Sequence, residues 1–325
     1  MKQMNTGLLL LILAAIVVVL FLLVNPPQFG GGAEKAVATP YAALERDAAA
    51  TVTVKTLRGQ STLRRAGEDW VVEEFDDFPA DETALEEAFT DLREMELGDV
   101  VSENVEKQAD LQVDGSGIEV FIADEGGDEL AHFFLGKPGT DYRRIYYRED
   151  GSDQVYLVDQ RLRGRFDRGA RTWRNRRPFS FEIGEVSALH LAAGETGEEL
   201  TLELDNEGNW VVVGEEPIPA DKAKVELVAR SFAQLSADEF PDEQNEDISA
   251  YGLDEPEWTY TARLLDGSER TLLVGGTTED ENRRYVKRGD SPIIYIMGGF
   301  RLRNLSKTLD EVRLDPEVTA PAEER

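Results

Sequence analysis

The sequence predicts an α+β protein: an N-terminal transmembrane helix followed by two tandem, internally duplicated, mainly antiparallel α+β units. Three observations carry this. Trp70-Val71-Val72, then six residues, then Pro79-Ala80-Asp81 recurs as Trp210-Val211-Val212, six residues, Pro219-Ala220-Asp221, with an offset of 140. Identity at fixed spacing is the mark of an internal repeat. Strand-like segments come in runs separated by single helices, which points to antiparallel units and away from a doubly wound parallel sheet. Gly7–Val24 is an 18-residue run without a charge.

That run opens the chain. As a helix it would be about 27 Å long, close to the thickness of a bilayer's hydrocarbon core. Asn25-Pro26-Pro27 stops it, because the residue before a proline is pushed out of the α region. Ala36-Val37-Ala38 has the small residues of a signal cleavage site but lies more than ten residues beyond the apolar run. The expectation is an uncleaved anchor over residues 1–24. Lys2 then places the N-terminus in the cytoplasm and the body in the periplasm or outside the cell. Residues 25–47 read as a flexible linker with a reach of at most about 80 Å, or about 27 Å as a coil.

The first repeat, 48–177, begins with a three-strand meander: Thr51–Leu57, Ser61–Arg65 and Trp70–Glu74, turned at Arg58-Gly59-Gln60 and Gly67-Glu68-Asp69. Asp81 is placed to cap a helix from 82 to 96. A polar loop is expected up to Gly117. Strands follow at Ile118–Ala123, Ala131–Leu135, Arg143–Arg148 and Val155–Val158, and a helix over Gln160–Phe166 closes the unit. Residues 178–182 connect it to the second repeat, 183–314, which has the same order. Strands are expected at Val186–Leu191, Glu199–Leu204 and Trp210–Val213, then a helix over 222–235 capped by Asp221. Four further strands near 259–264, 270–274, 284–287 and 293–297 precede a terminal helix over 299–309. Leu85, Ala88, Leu92 and Met95 align with Val225, Val228, Phe232 and Leu235 as the apolar faces of the two long helices. Gly136 aligns with Gly275 and Tyr156 with Tyr295, each pair 139 apart. Residues 315–325 read as a disordered polar tail.

Composition limits the function. The chain has 325 residues and a net charge of −30, and Lys2 is its only charge before residue 26, so the remainder carries −31. Such a body disfavours unspecific nucleic-acid binding. There is no cysteine, which removes thiol nucleophiles, disulfides and thiolate metal sites. The two histidines, His132 and His190, build no catalytic triad or metal motif and read as structural or surface residues. Acidic runs such as Asp76-Asp77 and Glu279-Asp280-Glu281 read as solvated faces, and the glycine pairs lack a phosphate-loop context. The repeated Trp reads as a core anchor in preference to a sugar platform. No catalytic residue, cofactor or metal ligand is assigned.

One stretch reverses the sign of the body. Arg161, Arg163, Arg165, Arg168, Arg171, Arg174, Arg176 and Arg177 are accompanied by one acid, Asp167. These arginines are the candidate partner-binding residues, for an acidic partner, anionic lipid or polyanionic glycan. The competing reading pairs them with the protein's own carboxylates.

The apolar N-terminus, the Trp strand, the Pro-Ala-Asp helix start and Tyr251-Gly252-Leu253-Asp254-Glu255-Pro256 together resemble the bacterial family of domain of unknown function 4340, over about residues 50–310. The first repeat departs from the Tyr-Gly-Leu-Asp element, with Ala109-Asp110-Leu111 in that region. The resemblance implies a membrane-anchored accessory protein of the kind often encoded beside ABC-type exporters related to gliding motility, and no established catalytic residues. The expected function is therefore a non-enzymatic extracytoplasmic accessory or scaffold protein in an envelope transport complex. It would be held to the membrane by residues 7–24, with ABC-type transporter subunits as partners. A polysaccharide- or cell-wall-binding protein is the alternative, and an envelope hydrolase is disfavoured by the missing nucleophile.

Overall fold

The computed structural model describes residues 38–194, 196–241, 247–279 and 282–315. The expected anchor, the linker up to residue 37 and the tail from 316 lie outside the described residues. Among the described residues, no helix is long and apolar enough to cross a membrane.

Seventeen strands are present among the described residues: β1 (Thr51–Thr56), β2 (Gly59–Ala66), β3 (Asp69–Val72), β4 (Phe78–Pro79), β5 (Val100–Ser102), β6 (Ile118–Ala123), β7 (Glu129–Pro138), β8 (Arg144–Glu149), β9 (Val155–Asp159), β10 (Val186–Ala193), β11 (Glu199–Leu204), β12 (Trp210–Val212), β13 (Ile218–Pro219), β14 (Trp258–Leu264), β15 (Glu269–Thr277), β16 (Arg283–Arg288) and β17 (Ile294–Gly298). They form two antiparallel sheets. The first has nine strands in the order β4-β3-β2-β1-β6-β7-β8-β9-β5, and the second has eight in the order β13-β12-β11-β10-β14-β15-β16-β17. Apart from β5 the two orders are the same, and Trp70 and Trp210 occupy equivalent strands, β3 and β12. By compactness the chain divides into the residues up to Arg65 with Thr83–Gly169, and Ala66–Glu82 with Ala170 onward.

Register explains the cores. Val52 in β1 lies between Leu63 in β2 and Ile122 in β6, and all three are fully buried. In the second sheet Leu189 takes the same place between Leu202 and Ala262. Because side chains alternate along a strand, this register puts one apolar row per sheet on the core side. The two long helices, α1 (Glu82–Arg93) and α2 (Lys222–Ala233), each bury the predicted face. Leu85, Ala88 and Leu92 are fully buried in α1, and Val225, Val228 and Phe232 in α2 belong to the same core cluster as Leu202, Trp210 and Tyr260. Asp221 caps α2 as expected: its Oδ1 accepts hydrogen bonds from the N–H groups of Ala223 (2.9 Å) and Lys224 (3.3 Å).

Several boundaries differ from expectation. The segment read as linker is packed from residue 38: Leu97 N–H donates to Ala38 O at 2.9 Å, and Tyr41 is buried with its hydroxyl 3.1 Å from that of Tyr147. An aromatic and a leucine, Tyr41 and Leu44, anchor a stretch whose Ala/Thr/Pro composition suggested coil. The polar loop before Gly117 contains β5 and a short helix at Gln108–Leu111. The terminal helix is two short helices, Gly299–Leu302 and Leu309–Val312. The second of these has its own capping box, with Thr308 N–H donating to Glu311 at 2.9 Å, so the chain restarts there.

The repeats also share a closing element missed in the sequence. Ala80 bridges to Arg174, and Ala220 to Arg313. Asp81 N–H donates to Trp173 O (2.7 Å) and Asp221 N–H to Val312 O (2.8 Å). Each Pro-Ala-Asp segment is thus paired by the end of its own repeat.

The aligned glycines have a steric cause. A Cβ on Gly275 would lie 2.4 Å from Tyr251 O and 2.9 Å from Gly252 O, and one on Gly136 would lie 2.2 Å from Leu111 O. Both glycines sit where the register of their strand shifts, between Val274 and Thr277 and between Leu135 and Pro138. Gly252 is left-handed at φ 65°, and its counterpart Gln112 is left-handed at φ 58°. The structural equivalent of Tyr251-Gly252-Leu253-Asp254 is therefore Leu111-Gln112-Val113-Asp114, rather than Ala109-Asp110-Leu111. Because the atoms facing Gly275 are backbone, Gly275→Ala should cost about 1–3 kcal/mol, measured by chemical denaturation. An unchanged midpoint would show that the bulge yields freely.

Candidate functional site

The arginine run divides at the boundary between the compact units. In the first unit Arg161, Arg163 and Arg165 lie against carboxylates. Arg165 Nε donates to Asp91 Oδ2 at 2.7 Å, in a pair whose aspartate side chain is nearly buried, and Arg165 also binds Glu87. Arg161 lies 3.3 Å from Asp159 and 3.8 Å from Asp91. Arg163 donates to Gly136 O at 2.5 Å and lies 3.7 Å from Asp167. The Arg168 carbonyl accepts from the Ser61 hydroxyl at 3.4 Å.

In the second unit Arg171, Arg174 and Arg176 line a cleft of about 920 Å³ with Glu239, Phe240, Pro241, Tyr251, Thr278, Glu279, Arg283, Tyr285 and Ile296. Arg177 is exposed and does not line it. Two stretches position the arginines. The chain after the short helix Ala170–Trp173 is tied to the loop after α2: Ala237 N–H donates to Arg176 O at 2.7 Å, and Arg176 Nη1 donates to Asp238 O at 2.9 Å. Arg174 is buried, its guanidinium carbon 4.2 Å from the Phe75 ring centre and 4.0 Å from that of Phe240. On the opposite side Arg283 Nη1 donates to Glu239 Oε2 at 2.7 Å, and the Tyr251 and Tyr285 rings meet edge to face at 4.9 Å. The Tyr251 carbonyl is the atom that a Cβ on Gly275 would meet at 2.4 Å. Among the described lining residues there are four arginines and two glutamates. Fixed guanidinium groups beside aromatic faces suit the recognition of carboxylate or phosphate.

The loop that carries Arg176's partner is itself locked. Asp238 Oδ1 accepts from Arg301 Nε (3.0 Å) and Nη2 (2.8 Å), and Oδ2 accepts from Gly298 N–H (2.7 Å). Burial works to raise the Asp238 pKa, but the Arg301 guanidinium and the Gly298 N–H outweigh it and hold the carboxyl below its usual range. With the folded value depressed, the contribution is present above the unfolded pKa, near 3.9, and is lost as pH falls through the folded value. Asp238→Asn should cost about 1–3 kcal/mol at pH 7. In paired denaturation curves that gap should narrow below about pH 4; a gap independent of pH would remove the charged pair as its cause.

Both histidines lie on strands away from the cleft. His132 Nε2 is 2.9 Å from Glu119, with Glu129 and Asp150 at 3.6 and 3.4 Å from Nδ1, and His190 Nδ1 is 2.9 Å from the Thr201 hydroxyl. Among the described residues, no group of three or more His, Cys, Asp or Glu is arranged to hold a metal ion. Trp70 and Trp210 are buried, so neither offers a sugar-stacking face. Sequence reasoning missed Glu239, Arg283 and Tyr285, which carry no motif; Tyr251 alone was marked by a recognisable element.

Fold and site together define a tandem antiparallel protein with an arginine-lined cleft in its second unit. The chain belongs to the domain of unknown function (DUF4340) family, whose profile matches twice, over residues 70–209 and 210–318. Each match begins on one of the two repeated tryptophans. No curated protein and no solved structure matches the chain.

Proposed function

We propose that the protein is a non-enzymatic accessory or scaffold subunit, anchored in the cytoplasmic membrane by residues 7–24, whose extracytoplasmic body docks an ABC-type export complex. The arginine-lined cleft carries the docking part of this reading. Arg176, held in the cleft wall by the Asp238 carbonyl, supports a contact with an anionic group there. The anchor is supported by the length and purity of the apolar run and by the prolines that follow it. The transporter is supported by analogy of family type. A single helix is too little to form a transport path, so any part in transport works through a partner.

Protease added to intact spheroplasts tests the topology. The body should be digested and a small N-terminal fragment spared. Full protection would place the body in the cytoplasm, and a mature N-terminus near Thr39 would show a cleaved, released protein.

A further inference from the structure

We infer that Lys35-Ala36-Val37, the chain immediately before the described body, docks on the outer edge of β5 as a short antiparallel strand and ties the membrane tether to the first unit. This rests on the uncleaved anchor proposed above, because a chain cut near Thr39 would lack these residues. The first argument is direction. Ala38 makes an antiparallel bridge to Leu97, and Leu97 N–H donates to Ala38 O at 2.9 Å. Gly98 N–H donates the other way, to Leu157 O of β9 at 3.2 Å. Successive N–H groups of an extended chain point to opposite sides, so Ala38 lies on the side of this stretch away from β9. β5, which continues the stretch, is the last strand of the first sheet. In an antiparallel pair, a step back from Ala38 is a step forward from Leu97. Val37 then faces Gly98, Ala36 faces Asp99 and Lys35 faces Val100.

The second argument is what each position asks for. A Cβ on Gly98 would lie 2.9 Å from Leu157 O, so this position carries no side chain. Val37, the β-branched residue of the segment, would stand across from that gap and cover it. Val100 and Val101 are 41% and 43% exposed on the terminal strand. The stem of Lys35 would lie across Val100 with its ammonium in water. A lysine in the outermost strand also guards a sheet against pairing with other chains, and Lys35 is the one basic residue between Lys2 and Arg46. The third argument is where pairing stops. The register of β5 against β9 shifts between Val100 and Ser102, which bends the edge beyond Val100. Gly30-Gly31-Gly32 precedes the segment, and glycine is disfavoured in strands. The consequence is a short tether. Residues 25–34 span at most about 35 Å, which keeps the first unit close to the bilayer.

The test uses the full chain, which has no cysteine, in non-ionic detergent. Lys35→Cys with Val100→Cys places two thiols on facing residues of a non-hydrogen-bonded pair, at a spacing a disulfide spans. Mild oxidation with copper–phenanthroline should close an intramolecular disulfide, read by mass spectrometry after alkylation. It should close at least about tenfold faster than in Lys35→Cys with Leu57→Cys, whose second thiol lies on the exposed turn between β1 and β2. Hydrogen exchange gives a second reading without cysteines. Ala36 lies two residues from the hydrogen-bonded Ala38, so its N–H also faces the strand. Ala36→Pro removes that donor and should speed amide exchange over residues 97–99 by about tenfold, whereas Ala33→Pro, outside the pairing, should not. Equal oxidation rates for the two cysteine pairs, or exchange unchanged by Ala36→Pro, would each overturn the inference. A purified chain beginning near Thr39 would reject the uncleaved anchor and the pairing together. A full-length chain that fails the oxidation test would reject the pairing and keep the anchor.

Discussion

Replacing Trp210 by alanine should destabilise the protein by about 3–5 kcal/mol. Trp210 opens β12 and is buried in the cluster that joins the second sheet to α2 through Val225, Val228 and Phe232. Its removal leaves a hole between strand and helix that the backbone pairing of β12 with β11 and β13 prevents from closing. Domains of this size are stable by about 5–15 kcal/mol, so the variant should be near its limit at 37 °C. Trp70→Ala at the equivalent place, where the side chain is equally buried, should behave alike. Urea denaturation followed by circular dichroism measures both. A shift below about 1 kcal/mol would mean that the tryptophan is not a core anchor.

Arg174→Ala should cost about 2–4 kcal/mol, from the lost guanidinium stacking and the space left between Phe75 and Phe240. Arg174→Lys should recover less than half of that, because a compact ammonium cannot fill the slot between two rings as a plane does. The repeat supplies a control. Arg313 makes the same backbone bridge, to Ala220, but is exposed, and its described ion pair is with a surface carboxylate, Asp310, at 3.3 Å. Arg313→Ala should change stability by about 0.5 kcal/mol or less. Equal losses at the two positions would assign the effect to the shared bridge and not to the stacking.

The antiparallel sheets were legible because strands such as Thr51–Thr56 alternate, and because the Trp and Pro-Ala-Asp motifs fixed the phase of the two copies. Gly136 and Gly275 were legible as an aligned pair but not as bulges, where close backbone approach leaves glycine as the fitting residue. Short edge strands were not legible. β4 and β13 have two residues each, too few to show a period, and β5 presents Val100 and Val101 half-exposed at a sheet edge. Tyr41 and Leu44 were hidden for a similar reason: isolated apolar residues in a Pro- and Ala-containing stretch carry no pattern until Tyr147 is placed beside them.

The site was half legible. The arginine run was visible as a reversal of charge, but its division was not, because that depends on where Asp91 and Glu87 lie relative to Arg165. Glu239, Arg283 and Tyr285 reach the cleft from a loop and a strand well separated in sequence, and only the pairing of β16 with β17 and the bridge of Glu239 to Ile296 bring them together.

In the proposed function the protein serves a transporter through its cleft. The direct measurement is quantitative mass spectrometry of the full chain captured from gently solubilised native membranes, wild type against the Arg171→Glu, Arg176→Glu double variant. ABC-type transporter subunits should accompany the wild type and be lost with the variant, both proteins remaining folded and membrane-bound. No transporter subunit beside abundant wild-type protein would contradict it.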